Sequence, residues 1–505
     1  MRRSIRHHGW ATVACAATLV VLTAGCNAGN HTSGKHASAA GTPRPATTST
    51  RSAAPTGNLD WTSCDGHFQC ATVQVPLDYL HPGRRSLGLK IVRRQAADPS
   101  ARVGSLLVNP GGPGGSGIDF AEGVRLPAAI HKHFDIVGFD PRGVGRSAPL
   151  DCHSHLQEMY DADPTLANAA DRAAYLKVSR AYVDECATKE KAVLPFLGTL
   201  NVVRDLDRIR AAVGDRKLSY LGYSYGTSIG QMYAQLFPRK IRAMVLDGVV
   251  DTEQTGLTGA DVQAKGFERA LEAYLADCRS QVACVLGKNP RARLADLVAS
   301  AERKDIPASG VDRPATRGVV QLAIGDALYS KLAWPLLSAA IHDGLVGNGT
   351  RLVLLADHYL QRKPDGSYGN GFDTYFAVSC LDSAWPRDPG KVFANARATG
   401  RKYPLIGEGL VNDYVRCALW PVKPRPLPRL TAAGSPPIVL ISTTRDPATP
   451  YESGVVVAKR LPKGVLVTND GDGHTVYSQG KACVDAPVTK YLVDGTPPAN
   501  GLECR

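Results

Sequence analysis

The short β-rich run Leu218-Ser219-Tyr220-Leu221 leads into Gly222-Tyr223-Ser224-Tyr225-Gly226, and Thr227 to Phe237 then reads as a helix. With 50 glycines in 505 residues, a G-x-S-x-G match alone carries little weight. Between a strand and a helix it constrains the chain strongly, because that tight turn needs small residues on either side of a strained serine. The turn lifts the Ser224 hydroxyl out of the sheet, and the helix N-terminus favours negative charge developing there. Ser224 is therefore the candidate nucleophile. The plain alternative is a Gly-rich turn between strand and helix.

From Trp61 onward, short apolar runs alternate with helical patterns, which indicates a mostly parallel sheet with helices on its faces. The expected strands are Ser105 to Val108, Phe134 to Phe139, Leu218 to Leu221, the Met244-Val245-Leu246 part of Ile241 to Val250, Pro437 to Ile441, and Gly464 to Val467. Asn201 to Val213 places Val202, Val203, Leu206, Ile209 and Val213 at helical spacing. Residues 251–435 break this rhythm with helix-compatible runs such as Ala264 to Ala276 and Val319 to Leu332. They are expected to form a helical lid inserted between a first core part, 58–250, and a C-terminal core part, 436–505.

The remaining chemistry falls at strand ends, where an open α/β sheet carries its site. Asn109-Pro110-Gly111-Gly112-Pro113-Gly114-Gly115-Ser116-Gly117 follows the first of these strands. A tetrahedral intermediate needs two N–H donors aimed at its oxyanion. Tyr225, after the nucleophile, is one candidate; Gly112 is the other, with Gly111 its near alternative. A phosphate loop is excluded because no Gly-Lys-Ser/Thr closes the run. An α/β-hydrolase orders its triad Ser, Asp/Glu, His. Asp446 and His474 each follow a strand in that order. His474 would take the Ser224 proton, and Asp446 would hold its tautomer. Asp470 and Asp472 are rival acids, but they lie on the His474 loop itself. No cofactor or metal is called for: no CxxC pair is present.

Composition limits the surroundings. The hydrophobic share is 44% and the charged share 21%, ordinary for a globular chain. The formal charge of +13 is partly N-terminal and otherwise scattered, with no basic stripe or module that would indicate nucleic acid. Arg2, Arg3 and Arg6 precede the apolar stretch Trp10 to Ala24, which is too short to span a bilayer and reads as a signal peptide. It ends in Leu22-Thr23-Ala24-Gly25-Cys26, similar to a bacterial lipobox, so residues 1–26 are expected to be a leader with Cys26 lipidated. Residues 27–57 are rich in Ser, Thr, Ala, Gly and Pro and read as a disordered spacer between membrane anchor and folded body. Of 12 cysteines, ten lie beyond the leader: Cys64, Cys70, Cys152, Cys186, Cys278, Cys284, Cys380, Cys417, Cys483 and Cys504. An even number in an exported chain reads as a disulfide set whose connectivity the sequence leaves open.

Several segments together resemble the secreted actinobacterial tripeptidyl aminopeptidase family, related to proline iminopeptidases. They are the Asn109–Gly117 and Gly222–Gly226 runs, Asp140-Pro141-Arg142-Gly143-Val144-Gly145-Arg146-Ser147, Leu246-Asp247-Gly248-Val249 and Cys380-Leu381-Asp382. Cys417-Ala418-Leu419-Trp420-Pro421, Asp446-Pro447-Ala448-Thr449-Pro450, Gly473-His474 and the tail from Tyr491 to Cys504 complete the set. The resemblance implies an α/β-hydrolase fold and release of short peptides, tripeptides in that family, from free N-termini. It also places Cys380 with Cys417 in the lid. With the short local loops, this suggests the pairs Cys64–Cys70, Cys152–Cys186, Cys278–Cys284, Cys380–Cys417 and Cys483–Cys504. An exopeptidase must hold an ammonium group at a set distance from its nucleophile, and a carboxylate is the natural partner. Asp382, beside Cys380, is the first candidate, and Glu408 and Asp251 are weaker ones; a helix cap is the plain reading of Asp382. An esterase or lipase on the same triad remains a competing function, since the triad does not choose amide over ester. A non-catalytic binding lipoprotein is another, against which the complete set of catalytic residue types argues.

Overall fold

The expected strand Phe134–Phe139 is buried at every position, and so is Leu218–Tyr223, which extends the expected Leu218–Leu221 run by two residues. Continuous burial is what a parallel strand shows when helices cover both faces. The computed structural model describes residues 59–505 except Ala167, Thr255 and Ala283. The leader, Cys26 and the spacer lie outside the described residues. No helix among the described residues is long and apolar enough to cross a membrane.

The strands in chain order are β1 (Thr62–Ser63), β2 (Phe68–Pro76), β3 (Ser86–Arg94), β4 (Gly104–Asn109) and β5 (Phe134–Phe139). They continue as β6 (Leu218–Tyr223), β7 (Ile241–Asp247), β8 (Ile438–Arg445), β9 (Gly464–Asp472) and β10 (Leu502–Cys504). One sheet holds them in the order β1-β2-β3-β5-β4-β6-β7-β8-β9-β10. The β1, β2 and β3 edge is antiparallel, including the pairing of β3 with β5. From β5 to β10 every neighbouring pair is parallel. This is the α/β-hydrolase fold, a mostly parallel sheet with helices on both sides.

Side chains alternate across the sheet, so neighbours in β4 enter different cores. Leu107 joins Val202, Leu206 and Ile229 from the helices Thr199–Ala212 and Tyr225–Leu236 on one face. Leu106 and Val108 join Ile118, Ile130 and Val484 on the other. The antiparallel edge lies outside the expected strands, since β2 alternates buried Ala71, Val73 and Val75 with polar residues and has no continuous apolar run. The short β10 pairs in parallel with β9, so His474 follows the penultimate strand of the chain.

Between β7 and β8 the named elements are all helical, from Leu257–Ser280 to Val415–Leu419. The expected helix over Val319 to Leu332 is Arg317–Leu328; Leu332 lies beyond it in a short 3-10 turn and is exposed. The helices Leu156–Asp161 and Ala169–Lys189, inside the stretch read as sheet-bearing, pack with Phe376, Cys380 and Trp420 of this segment in one core. The helical layer therefore draws on two stretches of chain. Five disulfides pair the ten cysteines: Cys64–Cys70, Cys152–Cys186, Cys278–Cys284, Cys380–Cys417 and Cys483–Cys504.

Candidate active site

Ser224 sits between β6 and the helix Tyr225–Leu236 at φ 53° and ψ −124°. A non-glycine residue held there stores about 1–3 kcal/mol, which the surrounding packing must offset. The turn is tight enough to require Gly222, where a Cβ would lie 2.5 Å from the Gly226 carbonyl oxygen. The Ser224 N–H donates to the Asp247 carbonyl at the end of β7, 2.9 Å away.

Asp446 begins where β8 stops and is fully buried. Its Oδ1 accepts from the N–H groups of Ala448 and Thr449, and its Oδ2 from the Thr449 hydroxyl. His474 lies just beyond β9, with Nδ1 at 2.9 and 2.8 Å from the two Asp446 oxygens. With Nδ1 committed to the carboxylate, Nε2 is the nitrogen left for proton transfer. That Nε2 is buried without a hydrogen-bond partner. Burial alone would lower the imidazolium pKa, but the charge and hydrogen bond of Asp446 outweigh it and hold the group above its ordinary value. No hydrogen bond joins Ser224 to His474 among the described residues, and such bonds are often long before substrate binds. The rival acids face elsewhere: Asp470 and Asp472 both pair with Arg445, and Asp472 also with Lys331.

The two oxyanion alternatives separate on hydrogen bonding. The Gly111 N–H is spent on Asn109 Oδ1 at 3.0 Å. Gly112 and Tyr225 line the cavity beside Ser224, and Gly111 does not. Tyr225 is the first residue of its helix, where the N–H has no acceptor within the helix.

The cavity has a volume of about 980 Å³ and runs between the strand-end loops and the helical segment. A chain of rings, Tyr329, Tyr359, Phe372, Tyr375, Tyr414 and Trp385, forms one wall, each packed on the next. Tyr329 also meets the His474 imidazole edge-on at 5.4 Å. The helical segment reaches the acid loop as well: Arg269 donates to the Thr444 carbonyl and Gln263 to that of Ala448.

Asp382, the last residue of the helix Gly371–Asp382, lines this cavity. It accepts from the Thr199 N–H and hydroxyl, and so caps the helix Thr199–Ala212, whose own N-cap Gly198 offers no side chain. With its proton given to Asp382, the Thr199 hydroxyl accepts from the Tyr225 hydroxyl at 2.6 Å. Burial pushes Asp382 up to about 7 despite the bonds from Thr199. Asp251 also lines the cavity but is paired with Arg460, and Glu408 is absent from the lining. Among the described residues no group of three or more His, Cys, Asp or Glu could hold a metal ion.

Residues 403–504 match the family described as TAP-like protein. Over 476 residues the chain is 39% identical to Serine protease Hip1 of Mycobacterium tuberculosis, covering 88% of this chain and 91% of that one. It is 34% identical over 471 residues to Tripeptidyl aminopeptidase of Streptomyces lividans, covering 88% and 86%. The chain belongs to the tripeptidyl aminopeptidase family, serine peptidases of the α/β-hydrolase fold. A further relative, Carboxylesterase B of Mycobacterium tuberculosis, is 36% identical over 459 residues, covering 86% of each chain. For this family member the sequence reading missed the aromatic wall and the Tyr329 contact. Asp247 had been noted only within the Leu246–Val249 marker.

Proposed function

We propose that this serine peptidase is an exported exopeptidase that releases short peptides, tripeptides by family, from free N-termini through an acyl-enzyme on Ser224. The observation that carries the reading is the buried Asp446–His474 pair with its unpartnered Nε2, set among the same strand-end loops as Ser224. His474 Nε2 takes the Ser224 proton as Oγ attacks the scissile carbonyl, and Asp446 stabilises the imidazolium. The N–H groups of Gly112 and Tyr225 receive the oxyanion. His474 then gives its proton to the leaving amine, and water attacks the acyl-enzyme with His474 again as base.

Asp382 is the proposed anchor for the substrate ammonium. Of the carboxylates lining the cavity, Asp251 has Arg460, Asp326 has His358, and Asp357 has Arg313. Asp382 has only the neutral partners from Thr199, so an ammonium would supply the missing positive charge. The helical segment carries this anchor and closes one side of the cavity, which supports its reading as a lid that blocks longer chains. The five disulfides support folding in an oxidising compartment. A lipid anchor at Cys26 remains part of the proposal; Cys26→Ala should release the protein from membranes without changing turnover.

An esterase is the second reading, favoured by the carboxylesterase relative. Tripeptidyl anilides and short acyl esters assayed on one preparation separate the two. The proposal expects the anilide to give the higher kcat/KM when its amine is free; ester turnover with no anilide cleavage would overturn it.

A further inference from the structure

Asp247 ends β7, inside the Leu246–Val249 marker, and no catalytic step above uses its side chain. It is fully buried. Its main-chain carbonyl accepts from the Ser224 N–H, and its Oδ2 accepts from the N–H groups of Val476 and Tyr477 at 2.8 and 2.7 Å. One residue thus ties the nucleophile turn to the loop that carries the base. The next residue, Gly248, approaches the imidazole so closely that a Cβ there would lie 2.9 Å from its Cε1. The other carboxylate oxygen, Oδ1, is buried with no hydrogen-bond partner. A residue needed only to hold the loop would require the Oδ2 acceptor but no charge, and a buried oxygen without a partner is costly.

We propose that Asp247 is a second carboxylate acting on His474, a positioning residue that holds the base loop against the Ser224 turn and adds negative charge behind the imidazolium. This rests on the reading of His474 as the base. The groups in contact with His474 are Asp446 from the β8 loop and the Tyr329 ring from the helical segment, while Asp247 acts on it by charge from the end of β7, next to Gly248 at the imidazole edge. The titratable groups whose charge acts on Asp247 are His474, Asp446 and Tyr223, whose hydroxyl donates to the Tyr477 carbonyl of the same loop. Burial pushes Asp247 up to about 6, opposed by the N–H groups of Val476 and Tyr477 and by the charge of His474. Its ionised form in turn raises His474. A buried carboxylate coupled by charge to the Asp446–His474 pair makes protonation a property of the group, so the pH profile reports the group and not one residue.

The experiment is the pH dependence of Ser224 labelling by a fluorophosphonate, which needs the base but no peptide. Asp247→Asn keeps an acceptor for Val476 and Tyr477 and removes the charge. The acid limb of the labelling rate should move to lower pH by about half a unit or more, because the imidazolium loses a stabilising charge. The rate on the plateau should fall by about two- to tenfold. Should the Asn variant be unstable, Asp247→Ser, also uncharged, should show the same shift. An acid limb that stays in place in a folded, uncharged variant overturns the proposal. A His474→Ala variant that labels normally would instead overturn the reading of His474 as the base, so the two failures are distinct.

Discussion

His474 donates its main-chain N–H to the Tyr329 carbonyl at 2.8 Å, while the Tyr329 ring stands edge-on to the imidazole. Tyr329 closes the helix Arg317–Leu328, so the candidate base rests directly on the helical segment. Two residues later, Lys331 pairs with Asp472, just before His474, at 3.1 Å. The segment thus supports the loop of the candidate base as well as lining the cavity.

Tyr329→Ala should lower kcat/KM by roughly ten- to hundredfold, because small misplacement of a catalytic group is costly. The loss should extend to a small acyl ester that does not reach the aromatic wall. Tyr329→Phe keeps the ring and should stay near wild type. A Tyr329→Ala loss confined to KM for long peptides would reduce the residue to a wall of the cavity.

Removing any member of the triad should be nearly as damaging as removing all of it. Ser224→Ala should cut turnover by roughly 10⁴-fold or more, and adding His474→Ala should cost little further. Circular dichroism on the same samples checks that the fold survives. Additive losses in the double variant would mean that the two residues act separately.

The raised Asp382 carboxyl makes stability depend on pH. Between its ordinary value of 3.8 and about 7, the unfolded chain loses this proton while the folded protein keeps it. The stability contributed is full below the unfolded value and is lost as pH rises through the folded one. Asp382→Asn removes that loss, so its Tm relative to wild type should rise between pH 4 and pH 8. A Tm difference independent of pH would contradict the buried, raised carboxyl. In the same window, KM for a free-amine substrate should fall as Asp382 ionises, and Asp382→Asn should remove that pH dependence.

Cys380–Cys417 closes a loop with a sequence separation of 37, and Asp382, inside that loop, lies two residues after Cys380. In the chain-entropy account such a loop contributes about 4 kcal/mol. The double variant Cys380→Ala, Cys417→Ala should melt earlier and bind free-amine substrates more weakly, with Ser224 labelling largely retained. Unchanged Tm and KM would remove the bridge from both roles.

The legible parts of this chain were the local ones. Ser224 stood out because its strand, turn and helix are contiguous, and Asp446 and His474 because each follows a buried apolar strand. What escaped depends on contacts between distant segments. The Asp247 side chain meets Val476 across 229 residues, and Asp382 meets Thr199 across 183. No local pattern records that a carboxylate at one helix end caps another helix. The β2 and β3 edge escaped for another reason: its alternation of buried and exposed residues is a weaker signal than the solid apolar runs of β5 and β6.

The most direct test of the central claim is mass spectrometry of a matched pair of peptides, identical except that one is N-acetylated, digested by wild type and by Ser224→Ala. The account predicts that wild type releases short N-terminal fragments, tripeptides first, from the free-amine peptide alone, and that Ser224→Ala releases none. Equal cleavage of the acetylated peptide, internal cleavage of both, or fragments persisting with Ser224→Ala would contradict it.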